Sequence, residues 1–240
     1  MKLVSFKKNS RESFGVLTPK GIADLSDAFE SITEIIADYP ENISKAESII
    51  DRTSSFIELS SVELRAPVKP GKILALAGNY AKHIVEAGLK LGLTESPRQT
   101  TVPRAFLKPN TVLNHPNAVI PWPVYSREID YELELAVVIG KTAKCISPEK
   151  AKDCIAGYTI ANDVSARSVT FRQGREKRPW DEFYDWLSGK WADGFLPLGP
   201  CIVTADEIGN PQDLQMMLKV NSEIRQNANT SEMIYSVYNV

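Results

Sequence analysis

The stretch DYELELAVVIG, residues 130–140, constrains this chain more than any other. In a β-strand, side chains two apart share a face. Asp130, Glu132 and Glu134 would therefore line one side, and Tyr131, Leu133 and Leu135 the other. The continuation AVVIG is apolar on both faces, which implies a strand covered on both sides. The fold must bury this strand and still accommodate carboxylates at its start. Acidic groups this close in a half-buried setting repel, and one of them ordinarily holds a proton. A divalent cation removes that penalty, and an all-oxygen donor set suits Mg²⁺, Mn²⁺ or Ca²⁺ rather than zinc. A third carboxylate is at hand in TIANDVSARS, where Asp163 ends another apolar strand. The alternating acids also fit an edge strand with a solvated acidic face, so their spacing by itself leaves both readings open.

Around this stretch the chain is rich in short strands. KLVSF, FGVLT and GIADLS at the start are separated by polar or glycine-bearing turns. AFESITEIIADYP then puts Phe29, Ile32, Ile35 and Ile36 on one helical face, and ENISKAESIIDRTSS reads as a second helix. Two prolines and a glycine in LRAPVKPGKILAL mark a boundary near residues 65–72. Beyond it KILALAG, AFLKP, AVIPWP, ELELAVVIG, IAGYTIANDVS, LGPCIVTADEI and LQMMLKVNSEIRQ read as strands. SPEKAKDCI, capped by Ser147, and NYAKHIVEAG read as short helices. The expectation is an α+β protein, mainly β with some α. It has a small N-terminal α/β domain over residues 1–68 and a sandwich-like or barrel-like catalytic core over residues 69–240. No GxGxxG, P-loop or GxSxG pattern is present, so dinucleotide, nucleotide and serine-hydrolase chemistries lack their usual supports.

The formal net charge of -2 argues against a surface built for nucleic acid or an anionic membrane. No apolar run approaches the roughly 20 residues that cross a bilayer, and the first residues lack the apolar centre of a signal peptide. Cys145, Cys154 and Cys201 form no CxxC pair or metal-knuckle spacing and read as reduced, mostly buried thiols of a cytoplasmic protein.

The chain has two histidines, His83 and His115. His83 lies three residues before Glu86 in HIVE, and on a helix these positions are neighbours. A carboxylate beside an imidazole orients it and raises its basicity, so the pair can draw a proton from water. The same spacing fits a satisfied histidine on a short surface helix. His115, in NHPNAV, reads as turn chemistry.

KILALAGNYAKHIVEAG, AFLKPNTVL, DYELELAVVIG, GYTIANDVSAR, GKWADGFLPLGP and NTSEMIYSV, in this order, closely resemble the fumarylacetoacetate hydrolase family. The likeness covers roughly residues 72–240, and the leading segment is similar to the family's variable N-terminal part. The resemblance implies that Glu132, Glu134 and Asp163 hold Mg²⁺ or Mn²⁺. It further implies that Lys190 sits beside the cation and helps neutralise an enolate, and that His83 with Glu86 activates water. Lys108 matches a lysine near the substrate side, and Arg167 is either a substrate anchor or a structural ion pair. Thr170 stands where many members place a substrate-contacting glutamine, and Ser168 where many keep an aspartate. FRQGREKRPWDEFYDW is longer than in compact members and fits a lid or specificity loop. Members usually continue past MIYSV with a segment carrying a Thr-Gly-Thr-Pro turn, whereas this chain ends at Val240, so the resemblance implies that a C-terminal segment is lacking. The implied activity is divalent-metal-dependent hydrolysis of a C–C bond in a 2,4-dioxo acid, by a cytoplasmic homodimer whose partner is a small 2-oxo acid. Isomerase, hydratase and decarboxylase chemistries share that site. The reading of another class is a non-catalytic β-rich binding module, which would bind no divalent ion tightly.

Overall fold

The computed structural model describes residues 1–39, 41–81 and 102–240, and shows an α+β protein built mostly of β-sheet. β1 (Lys2–Lys8) and β2 (Arg11–Thr18) are joined through Asn9 and Ser10, at φ 48° and 66°. Two successive positive φ values give the hairpin turn whose twist matches paired strands, and asparagine tolerates that conformation well. β3 (Gly21–Asp24) pairs with β2, and β4 (Glu63–Arg65) pairs with β1. Between them lie α1 (Ile32–Ala37) and α2 (Glu41–Arg52). Ser31 caps α1 by accepting from the Glu34 N–H at 3.1 Å, while the Glu34 carboxylate accepts from the Glu30 N–H at 2.6 Å. The face expected from spacing is buried: Phe29, Ile32, Ile35 and Ile36 pack with Leu3, Val16, Val138 and Ile202.

The second part of the chain supplies β5 (Ile73–Leu76), β6 (Ala105–Lys108), β7 (Leu113–Asn114), β8 (Ile129–Asp130), β9 (Leu133–Ile139), α3 (Pro148–Ala151), β10 (Ile155–Asn162), β11 (Ser165–Ala166), α4 (Asp181–Gly189), β12 (Leu196–Thr204), β13 (Gln215–Val220) and β14 (Glu223–Asn229). The main sheet is 8-stranded and runs β3-β2-β1-β12-β10-β9, with β4 beside β1 and β7 beside β12. It crosses the boundary expected near residue 68, because β1 pairs with β12 through Lys2↔Val203 and Leu3↔Ile202.

Several local expectations are revised. The thiols are not mostly buried: Cys145 is exposed, and Cys154 and Cys201 are half-buried. β9 ends the sheet path, and AVVIG is not covered on both faces: Val138 is buried, Ala136 and Val137 are half-buried and Ile139 is 58% exposed. LQMMLKVNSEIRQ is not one strand but the hairpin β13–β14, turning at Asn221 and Ser222 with φ 49° and 71°. AVIPWP, with two prolines that cannot donate to a ladder, forms no strand. Ser147 occupies the N-cap of α3 without making a capping hydrogen bond, and its hydroxyl instead lies against the Glu149 carboxylate. Proline at the first turn has no N–H to satisfy there.

Candidate active site

The site begins where β9 and β10 pair. The register sets Leu133 opposite Asn162 and Glu134 opposite Ala161. Just outside the ladder the Asp163 N–H donates to the Glu132 carbonyl at 2.8 Å, and the Glu132 N–H donates to Asn162 Oδ1 at 3.0 Å. These bonds fix Glu132 and Asp163 side by side. The acidic strand is not continuous. β8 ends at Asp130 and pairs with β11, Tyr131 and Glu132 form the break, and β9 starts at Leu133. Asp130 therefore leaves the cluster and joins an ion pair with Arg167, whose Nη2 lies 2.7 Å from Asp130 Oδ2 and also contacts Glu132.

Two lysines enter from elsewhere. Lys190 caps the C-terminus of α4, and its Nζ lies 2.5 Å from Glu132 Oε2 and 2.9 Å from Asp163 Oδ2. Lys108 ends β6, and its Nζ donates to Asp163 Oδ1 at 2.5 Å and to the Lys190 carbonyl at 2.6 Å. Both lysines and Asp163 are buried. Gly189 allows this close docking: a Cβ there would lie 2.3 Å from the Ala166 carbonyl oxygen of β11. The Trp186 ring, one turn back on α4, lies 6.0 Å from Lys190 Nζ and packs edge-on against Phe106.

Charge and burial pull against each other here. Desolvation, reinforced by the charges of Glu132 and Asp163, raises the Glu134 carboxyl to about 8. Burial lowers the Lys108 ammonium, while Asp163 counteracts it. Among the described residues no three His, Cys, Asp or Glu side chains form a ready-made metal cage, and the Lys190 ammonium stands between Glu132 and Asp163. The residues fit a divalent cation by their chemistry. The donors are carboxylate oxygens, burial and then the charges of the other two already raise Glu134, and a cation of this protein's own occupies the space between two of them.

The structure thus brings together Glu132, Asp163, Lys190 and Lys108, with Glu134 close enough to feel both carboxylates. Lys108 is enclosed by Asp163 and the Lys190 carbonyl rather than solvated. Arg167 makes ion pairs with Asp130 and Glu132. Thr170 is exposed, donates its N–H to the Tyr125 carbonyl at 2.8 Å, and lines a cavity with Arg167. His83 and Glu86 lie outside the described residues. His115 is half-buried, and its Nδ1 accepts from the Ala66 N–H at 3.1 Å, so it ties the inter-segment linker to the loop after β7.

Sequence reasoning missed three neighbours of the cluster. The Tyr80 hydroxyl is raised by burial and then by the charges of Glu134 and Glu232. Gln226 Oε1 accepts from the Leu133 N–H at 2.8 Å, which seats the β13–β14 hairpin on the start of β9. Trp186 was visible only as part of an aromatic loop.

Comparison with known proteins gives a consistent family. The profile described as "Fumarylacetoacetate (FAA) hydrolase C-terminal" matches residues 72–240. The 2,4-didehydro-3-deoxy-L-rhamnonate hydrolase of Sphingomonas sp. (strain SKA58) is 35% identical over 239 residues, covering 99% of this chain and 75% of that protein. The mitochondrial oxaloacetate tautomerase of Rattus norvegicus is 34% identical over 220 residues, covering 90% of this chain and 65% of that one. The fold is similar to that of maleylpyruvate hydrolase from Sphingobium sp. SYK-6, crystallised with manganese(II) and pyruvate. The TM-score is 0.77 and the identity 28%, over 100% of this chain and 80% of the other. Among the described residues no helix is long and apolar enough to cross a membrane.

Proposed function

The chain belongs to the fumarylacetoacetate hydrolase family, whose members include hydrolases, isomerases and tautomerases, and on that premise we propose that it hydrolyses a C–C bond of a 2,4-dioxo acid with the help of a divalent cation. The observation that carries this reading is the buried Lys190 ammonium bridging Glu132 and Asp163, with Glu134 at the adjoining ladder position. Glu132, Glu134 and Asp163 would hold Mg²⁺, with Mn²⁺ or Ca²⁺ as alternatives. Such an ion, when bound, supplies Lewis acidity and a template for the 2-oxo carboxylate end. The Sphingobium maleylpyruvate hydrolase crystallised with manganese(II) and pyruvate supports a divalent ion and that substrate end.

The chain's own groups do the rest. His83, oriented by Glu86, takes a proton from water, and the water oxygen attacks the C4 carbonyl carbon. The C3–C4 bond then breaks and its electron pair forms the pyruvate enolate. Lys190 donates a hydrogen bond as that charge develops. Lys108 acts through others as a positioning residue, holding Asp163 by its side chain and Lys190 by its carbonyl. Arg167 and Thr170 border the substrate's distal half. In this reading the enzyme works as a cytoplasmic homodimer, with residues 1–68 as the small N-terminal domain and 69–240 as the catalytic domain.

Tautomerase relatives need an enolate without an attacking water, so the His83–Glu86 pair favours hydrolysis. Pyruvate release from acylpyruvates, measured with Mg²⁺ and with EDTA, tests the reading. The expected result is Mg²⁺-dependent hydrolysis that His83→Ala removes while stabilisation by Mg²⁺ persists. Hydrolysis indifferent to EDTA, or retained by His83→Ala, overturns it.

A further inference from the structure

Beside the carboxylate–lysine cluster lies a cavity of about 450 Å³, and the two share walls. The Arg167 guanidinium contacts Glu132 and also lines the cavity, and Trp186 lines it while standing 6.0 Å from Lys190 Nζ. Arg167 and Trp186 are thus the residues that the cluster and the cavity have in common.

The cavity's other wall is the loop that leads from Arg167 to α4, and that loop is pinned at both ends. At its start the Thr170 N–H is bonded to Tyr125, and the Phe171 ring packs 4.9 Å from the Tyr125 ring. Further on, Arg175 Nη1 lies 3.0 Å from Asp185 Oδ1, and Arg175 Nε lies 3.9 Å from the buried Asp181. Arg172 sits between these two fixed points.

Among the described residues the lining carries the cations Arg167, Arg172, Arg175 and Lys177 against two carboxylates, Glu182 and Asp185. Three of the cations are matched: Arg167 with Asp130 and Glu132, Arg175 with Asp185, and Lys177 with Glu182 at 3.2 Å. Among the described residues Arg172 has no ion-pair partner. Arg172 is exposed, lines the cavity and lies on a loop fixed on both sides of it, so its guanidinium is suited to meet a carboxylate with two parallel hydrogen bonds.

We propose that Arg172 anchors a terminal carboxylate, so that the substrate class is a 2,4-dioxo dicarboxylate rather than an acylpyruvate with an uncharged tail. This rests on the hydrolase reading above and adds the chemistry of the substrate's distal end to it. Water adds across the C3–C4 bond of such a compound. The acyl fragment leaves as a dicarboxylate, and the enolate takes up a proton to become pyruvate.

The test compares 2,4-dioxoheptanedioate with 2,4-dioxoheptanoate, which has the same length but a methyl end. The wild-type enzyme should show a kcat/KM about tenfold higher for the dioate, the size expected of one charge-assisted contact at a half-open site. Arg172→Gln should erase that preference by raising KM for the dioate while leaving the monoacid within about twofold, and Arg172→Lys should restore part of it. Equal turnover of both compounds by the wild type, or a preference that survives Arg172→Gln, overturns the inference. If neither compound is cleaved, the hydrolase reading fails on its own. Calorimetric binding then decides the anchor: tighter binding of the dioate that is lost in Arg172→Gln supports it, and equal affinity for both acids overturns it.

Discussion

Lys108 Nζ reaches Asp163 Oδ1 at 2.5 Å and, with another of its protons, the carbonyl of Lys190 at 2.6 Å. One buried ammonium thus fixes both an acidic side chain and the main chain that carries the second lysine. Replacing it with methionine leaves Asp163 with one cation instead of two. Removing one partner of a buried pair costs about 3–5 kcal/mol. Lys108→Met should therefore lower the melting temperature strongly and reduce kcat at least about 100-fold. Lys108→Arg, which keeps the charge but not the compact head, should recover stability more than kcat. A Lys108→Met protein with unchanged kcat would show that Lys108 does not position the site.

Divalent ions should stabilise the fold. An ion present at about 100 times its dissociation constant adds about 2.7 kcal/mol, which for a chain of this size is a rise of about 5–10 °C in melting temperature. Differential scanning fluorimetry with Mg²⁺, Mn²⁺ and EDTA reads this directly. Oxalate should add a further rise only in the presence of the metal. Glu134→Ala and Asp163→Ala should abolish both effects, and a shift that survives either change would exclude that residue as a ligand.

Gly189 offers a purely steric test. A methyl group at this position meets the Ala166 carbonyl at 2.3 Å, so α4 and β11 must separate. Gly189→Ala should cost about 1–3 kcal/mol. It should also displace Lys190, and a shift near 1 Å lowers kcat by about 100-fold. Equal kcat in the variant would show that the position of Lys190 is set elsewhere.

His115 provides a pH signature away from the chemistry. Burial, then the Arg65 charge, lowers its pKa from 6.5. Its Nδ1 accepts the Ala66 N–H, so the fold prefers the neutral ring. The sign follows: above 6.5 both folded and unfolded states are neutral and nothing is lost. As pH falls from 6.5 toward the lower folded-state value, the unfolded chain gains the proton first and stability declines. Melting temperatures between pH 7.5 and 5 should therefore fall less steeply for His115→Asn, which keeps an acceptor but does not titrate. Identical slopes would remove His115 from the acid response.

Much of this site could be read from residue order because strand pairing is local in its rules. Two acids in alternate positions, and an aspartate ending a second apolar strand, are brought together by a single antiparallel register. The break at Tyr131 and Glu132 was hidden, because it depends on Asp130 pairing with Ser165 and on Arg167 drawing that carboxylate aside. Lys108 was harder still. Nothing near a lysine before a proline shows that it will be buried, since its partners lie 55 and 82 residues away. Tyr80 and Gln226 belong to the same class, being made neighbours of Glu134 and Leu133 by packing alone. The half-covered β9 reflects its place at the end of the sheet path, which periodicity does not encode.

The pairing of Leu3 with Ile202 has a consequence for biosynthesis. During translation the β1–β2 hairpin emerges well before β12, so the flank of β1 that meets β12 has no neighbour until the chain through Ile202 has left the ribosome. Contacts between such distant positions slow the final step of folding, and the waiting strand exposes a row of unpaired amides meanwhile. Nascent chains of this protein should therefore depend on protection by chaperones for longer than a protein whose strands pair in the order they are made.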